Sequence, residues 1–236
     1  MACCRTDPSD AGYATAAAMA FGLSLALTAA ALTTLASTRL HAARADLDRL
    51  SAERFLDGAR QQAVQRILTS SKPVRLGWTA KTHDAEVSLL AEPEAAKLGY
   101  EAVAKLEDAN FKALGVKDAN ALRGRLADAA SGADPPVVWP AELDPSPTWR
   151  ACAGSLMSLF GLAKSPTLTA PESPDDRAFT WRLGEVWRIR AVGGGWAETT
   201  LVRFTGDAGR PAAVIARALA RHTGGDRSCD AKLAGA

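Results

Sequence analysis

The chain has 236 residues, 28 Lys and Arg against 26 Asp and Glu, and 47% apolar residues, so it has room for one ordinary domain beside a membrane segment, or for two small domains. A net charge of +2, with no cluster of Lys and Arg interleaved with aromatics, gives no basis for a nucleic-acid partner. Cys3 and Cys4 lie near the start and Cys152 and Cys229 in the body, so an exported body has one candidate disulfide, Cys152 with Cys229; two free buried thiols are the alternative.

Residues 1–12, MACCRTDPSDAG, are polar and end in Gly12. Ala11 to Thr38 then runs 28 residues without a charge, long enough as a helix to cross a hydrocarbon layer of about 30 Å. Ala, Thr, Ser and Gly outnumber Leu, Phe and Met in this run, and small residues at that density favour helix-to-helix packing. A cleaved secretory signal peptide is the competing reading. Against it stand the length of the run, the acids Asp7 and Asp10 beside Arg5, and a helical pattern that continues far beyond.

From Arg39 to Leu68 there is no proline, and only Gly58 interrupts. Apolar residues recur at Leu40, Leu47, Leu50, Leu56, Ala59, Ala63 and Ile67, which predicts one helical face, with the step from Leu50 to Leu56 fitting least well. Charges of both signs fill the other side, as on a solvated face. Tyr13 to Leu68 is therefore expected as one rod of about 80 Å, membrane-spanning over 13–38 and amphipathic over 39–70.

Lys72-Pro73 ends the rod, and 71–92 reads as the first strands: Val74 to Ala80 alternates, Lys81 to Asp84 is turn-like, and Ala85 to Leu90 follows. Residues 93–165 read as a helical insert. Glu94 to Ala130 breaks into two or three short helices near Gly115 and Asn120, Ser131 to Pro147 is a Pro- and Asp-rich linker, and Trp149 to Leu162 predicts one more helix. Ser165 to Asp176 is loop. Over 166–222 the signal turns to β. Phe179 to Val192, the turn Gly193-Gly194-Gly195 and Trp196 to Thr205 form a hairpin, with Trp187, Ile189 and Ala191 on one face and Val186, Arg188 and Arg190 on the other. The alanines of Ala212 to Arg221 favour helix by propensity, although a closing strand also fits. Residues 223–236 form a loose tail.

His41, His83 and His222 lack metal-ligand spacing, and no serine elbow, phosphate loop, dinucleotide glycine pattern or zinc cysteine pair occurs, so an enzyme is not expected. The acids Asp175, Asp176, Asp207, Asp226 and Asp230 sit in no EF-hand arrangement and read as solvated loop residues.

A polar leader ending in Gly12, followed by Tyr13 and an uncharged helix that becomes amphipathic, resembles the type IV pilin-like proteins. The resemblance implies cleavage after Gly12 by the prepilin peptidase and methylation of Tyr13 as the mature end. Most such proteins carry Glu at the fifth mature position, where this chain has Ala17. K-type minor pseudopilins of type II secretion lack that Glu. Leu114-Gly115-Val116 with Ala121 to Ala129 is similar to the start of their helical insert, and Gly184 to Ala191 with Thr199 to Gly206 is similar to their C-terminal hairpin. On this resemblance Ala212 to Arg221 is a strand rather than a helix. The resemblance also makes calcium conceivable, but the usual Asp-Trp-Arg-Asp stretch is missing and no ligand is carried over.

The expected class is thus α+β, a long N-terminal helix packed on a small antiparallel sheet with a helical insert between strands. The implied function is a minor pseudopilin that initiates or caps the tip of a periplasmic pseudopilus. Its expected partners are other minor pseudopilins, met through the N-terminal helix, and the inner membrane; no small-molecule substrate or resident cofactor is expected. A carboxylate in a helical bundle is costly unless paired. The resemblance implies that this Glu meets the charged mature amine of a neighbouring subunit; a subunit with none above it has no amine to neutralise, so the resemblance makes Ala17 suit the tip. Arg39, Arg44, Arg49 and Arg54 behind the span would by charge alone place the body in the cytoplasm, whereas the resemblance implies the periplasm. Competing readings are a minor pilin-like protein of a type IV pilus, an exported binding protein, and a single-span protein with a cytoplasmic body.

Overall fold

The structure, a computed structural model, describes residues 10–69, 76–82, 85–132, 136–163 and 182–222. The chain divides into two units, Met1–Ser51 and Ala52–Ala236. The class is α+β: a long apolar N-terminal helix, a five-stranded antiparallel sheet and a set of shorter helices.

Helix α1 is Asp10–Thr69. It begins slightly before the apolar run, and Gly12 lies inside it. In the first unit its large apolar side chains are exposed throughout, from Tyr13 and Phe21 to Leu35. Serines and threonines here turn their hydroxyls back onto the helix: Ser24 donates to the Phe21 carbonyl at 2.8 Å and Thr33 to that of Ala29 at 2.8 Å. This satisfies their polar groups within an apolar segment.

The apolar stripe is not one face. Leu40, Leu47 and Leu50 are exposed, whereas Ala52, Leu56, Ala59, Ala63 and Ile67 are buried. The six-residue step from Leu50 to Leu56 does not keep the three- and four-residue spacing of one face. The buried set belongs to the second unit and repeats at steps of three and four.

In the second unit, β1 (Leu76–Thr82), β2 (Ala85–Pro93), β5 (Val186–Gly193), β6 (Trp196–Phe204) and β7 (Ala212–Arg221) form the sheet in the order β1-β2-β5-β6-β7. All neighbours are antiparallel. One face packs on the buried stripe of α1 through Val87, Leu89, Trp187, Ile189, Val202 and Phe204, with Trp187 edge-on to Phe204. The hairpin turn between β5 and β6 has Gly194 and Gly195 at φ +58° and +75°, and the Phe55 ring leaves no room for a side chain at Gly194. Ala212–Arg221 is a strand, so pairing with β6 overrides the helix propensity of its alanines.

The insert lies between β2 and β5. It contains β3 (Leu98–Gly99), α2 (Tyr100–Ala104), α3 (Asp108–Ala113), α4 (Ala119–Ala130), α5 (Pro147–Leu156) and β4 (Met157–Ser158). The expected helix over 149–162 stops at Leu156, since Met157 turns extended to pair in parallel with Leu98. Asp118 caps α4, accepting from the Ala121 amide at 2.9 Å, and Ser146 caps α5 ahead of Pro147. Part of the expected Pro-rich linker is packed structure: Pro140–Glu142 is a 3-10 turn, and its Pro140 carbonyl accepts from the buried Trp149 indole at 2.8 Å. The insert has its own core, built around Phe111, Leu122, Leu126, Trp149 and Met157. The loop expected at 165–176 and the tail at 223–236 lie outside the described residues.

Candidate functional site

The residues named for processing stand on α1. Tyr13 is 83% exposed and Ala17 is exposed, so this stretch of helix is open along its length. Among the described residues α1 is the helix long and apolar enough to span a membrane. Cys152, buried on α5, is disulfide-bonded; Cys229, its candidate partner from sequence, lies outside the described residues.

Sequence reasoning missed two buried ion networks in the second unit. The first lies where the insert leaves the sheet. Pro93 ends β2, and the turn after it carries Glu94, fully buried. Lys97 reaches Glu94 Oε1 at 2.7 Å and Glu92 Oε1 at 2.6 Å. From β5, Arg188 donates through Nη2 to Glu94 Oε2 at 3.0 Å. Its Nε lies 2.8 Å from Oε1, an ion-pair contact whose angle falls outside hydrogen-bond geometry. The Gly154 carbonyl on α5 accepts from Lys97 Nζ at 2.9 Å and also from Arg188 Nη1. A side chain at position 154 would collide with that guanidinium. Two carboxylates therefore meet two cations across β2, β5 and α5. Burial alone would raise the Glu94 pKa, but the charges of Lys97 and Arg188, with hydrogen bonds from Lys97 and Ser158, outweigh it and hold the carboxyl below its ordinary value.

The second network joins α1 to β6 and β7. Glu198, buried, accepts from Arg217 Nε at 2.8 Å and from Thr200 at 2.9 Å, and Arg60 Nη1 lies 3.4 Å away. Both networks tie elements together, Glu94 and Glu198 each meeting cations through both carboxylate oxygens. The one legible signal in the sequence was a charge, Arg188 or Glu198, set among the apolar residues of a central strand.

A groove of about 750 Å³ opens between the insert and the sheet face turned away from α1. Its floor includes Glu92, Arg188, Arg190, Thr199 and Ala218; its other wall includes Trp139, Glu142, Arg150 and Gly154. Burial pushes the Arg190 guanidinium down from its ordinary value, against the opposing charge of Glu92. Among the described residues no three His, Cys, Asp or Glu side chains gather to hold a metal ion, and Asp207 is the only one of the five loop acids that is described.

These features define an α+β protein with a long, apolar, exposed N-terminal helix that could serve as a single membrane span. No family model, curated protein or solved structure matches the chain.

Proposed function

We propose that this chain is a K-type minor pseudopilin-like component of a type II secretion system, anchored in the bacterial inner membrane with its second unit in the periplasm. It would help initiate or cap the pseudopilus tip. Its work is assembly with other minor pseudopilins and involves no bond chemistry.

The observation that carries this reading is the form of α1. An uncharged run with every large apolar side chain exposed is followed by a segment whose own buried stripe packs on a small antiparallel sheet interrupted by a helical insert. A bare helix of this composition needs lipid or neighbouring helices around it. The exposed Leu40, Leu47 and Leu50 extend that need beyond the span. The disulfide at Cys152 favours an oxidising compartment, and so the periplasm, over the cytoplasmic orientation that the arginines after the span would give.

N-terminal mass spectrometry of the protein from native membranes tests the reading. A mature end at Tyr13, methylated, is expected. An end at Met1, or one beyond Ala31, removes its basis and leaves a membrane-anchored or exported α+β protein.

A further inference from the structure

The free edge of β7 borders the groove in an unusual way. β7 is the last strand of the sheet, ten residues long, and among the described residues no strand pairs with its outer side. A bulge near Ile215 breaks the first part of its register with β6. Beyond the bulge, Ala216 to Arg221 pair in unbroken register with Leu201 to Trp196. Six regular residues leave alternate backbone N–H and C=O groups pointing outward, which is a template for another strand.

The groove lining includes Ala218 and Ala220 from one face of β7 and Arg217 and Arg221 from the other. Residues from both faces of this terminal strand therefore border the groove. The neighbouring floor is Ala197 and Thr199, small side chains that leave height above the sheet.

Charge selects the occupant. Five arginines line the groove against Glu92 and Glu142. Arg188 and Arg217 are answered from behind by Glu94 and Glu198, and Arg221 stacks on Trp196 at 4.3 Å. Arg150 on the opposite wall is exposed. A second copy of β7 paired antiparallel about Leu219 would set Arg217 opposite Arg221 and bring no carboxylate to the exposed Arg150. A segment bearing carboxylates meets no such repulsion, and an extended backbone satisfies the edge in register. We propose that β7 and its groove take up an extended acidic segment of another polypeptide as a sixth strand. This inference does not depend on the pseudopilin reading or on processing at Gly12.

The test uses the full chain in detergent micelles and a fluorescent peptide of about eight alternating Glu and Val residues. Saturable binding is expected, with protection of the 216–221 amides in hydrogen exchange. Methylation of alternate peptide amides, or Lys in place of Glu, should each weaken binding by about tenfold or more. Arg150→Glu in the protein should weaken it several-fold. Absence of binding overturns the proposal. So does equal binding of the methylated or Lys peptide, because edge pairing and charge are the two features on which it stands.

Discussion

Arg188 on β5 grips Glu94, 94 positions earlier in the chain, with Nη2 at 3.0 Å from one carboxylate oxygen and Nε at 2.8 Å from the other. The pair fastens the entrance of the insert to the central strand of the sheet. Glu94→Ala leaves Arg188 and Lys97 buried without their shared partner, so a loss of about 3–5 kcal/mol is expected in denaturant unfolding of the full chain. Replacing Glu94, Lys97 and Arg188 together by apolar residues of similar size should recover much of that loss. A single variant as stable as the parent would show that the network contributes little.

The same group predicts the acid limb of stability. Glu94 titrates below its ordinary 4.5 when folded, so its contribution is present above pH 4.5 and is lost as pH falls through the lower folded value. Tyr100 gives a basic limb. Its hydroxyl donates to the Val137 carbonyl at 3.0 Å, and burial raises its pKa well above the ordinary 10.0. A raised acid stabilises the fold below its unfolded pKa, so stability should decline as pH rises past about 10. Midpoints of chemical unfolding across pH should show a plateau between these limits. Glu94→Gln should flatten the acid limb and Tyr100→Phe the basic one.

Gly161 closes the exit of the insert onto its entrance. The Ala163 amide donates to the Lys97 carbonyl at 3.0 Å and the Leu162 amide to that of Ala95 at 3.1 Å. A methyl group at position 161 would sit 2.6 Å from the Lys97 oxygen. Gly161→Ala should therefore cost about 1–3 kcal/mol by forcing the two backbones apart. Limited proteolysis should find new cleavage within the insert, with α1 unaffected.

Cys152→Ser removes the disulfide at α5, and a loss of about 2–5 kcal/mol is expected on removing a bond of this kind. Non-reducing peptide mapping identifies the partner. Pilin-type processing would discard Cys3 and Cys4 with the leader, leaving Cys229 as the intramolecular choice. A map showing Cys152 as a free thiol in protein from native membranes would contradict both the bond and the oxidising compartment.

The span makes a separate prediction. With its apolar side chains bare, α1 should keep the chain in membranes through an alkaline carbonate wash. Leu25→Arg near the middle of the run adds an insertion cost of about 2.5–3.5 kcal/mol and should shift much of the protein into the soluble or aggregated fraction. Unchanged retention would mean that α1 is not the anchor.

Much of the secondary structure was legible because it rests on local patterns. An uncharged run declares a helix meant for an apolar setting, a period of two declares a half-buried strand, and three glycines between two such strands declare a turn. The stripe of α1 was half legible. Its spacing showed that a face exists, but only burial separated Leu40, Leu47 and Leu50 from the set that begins at Ala52. The Glu94, Lys97 and Arg188 network was not legible, because residues far apart in sequence meet only once the insert has folded back on itself.

Composition and periodicity alone therefore determined the long apolar helix, the α+β class and the site of the hairpin, since each follows from how side chains partition between water and an apolar surface. The tertiary structure decided the rest. Backbone hydrogen bonds from β6 made an alanine-rich segment a strand, parallel pairing at Leu98 ended α5 at Leu156, and the close approach of Gly154 to Arg188 gathered distant charges into one buried network. Such outcomes depend on which distant groups are available as partners, and a buried charge or an edge strand keeps the conformation in which those partners satisfy it.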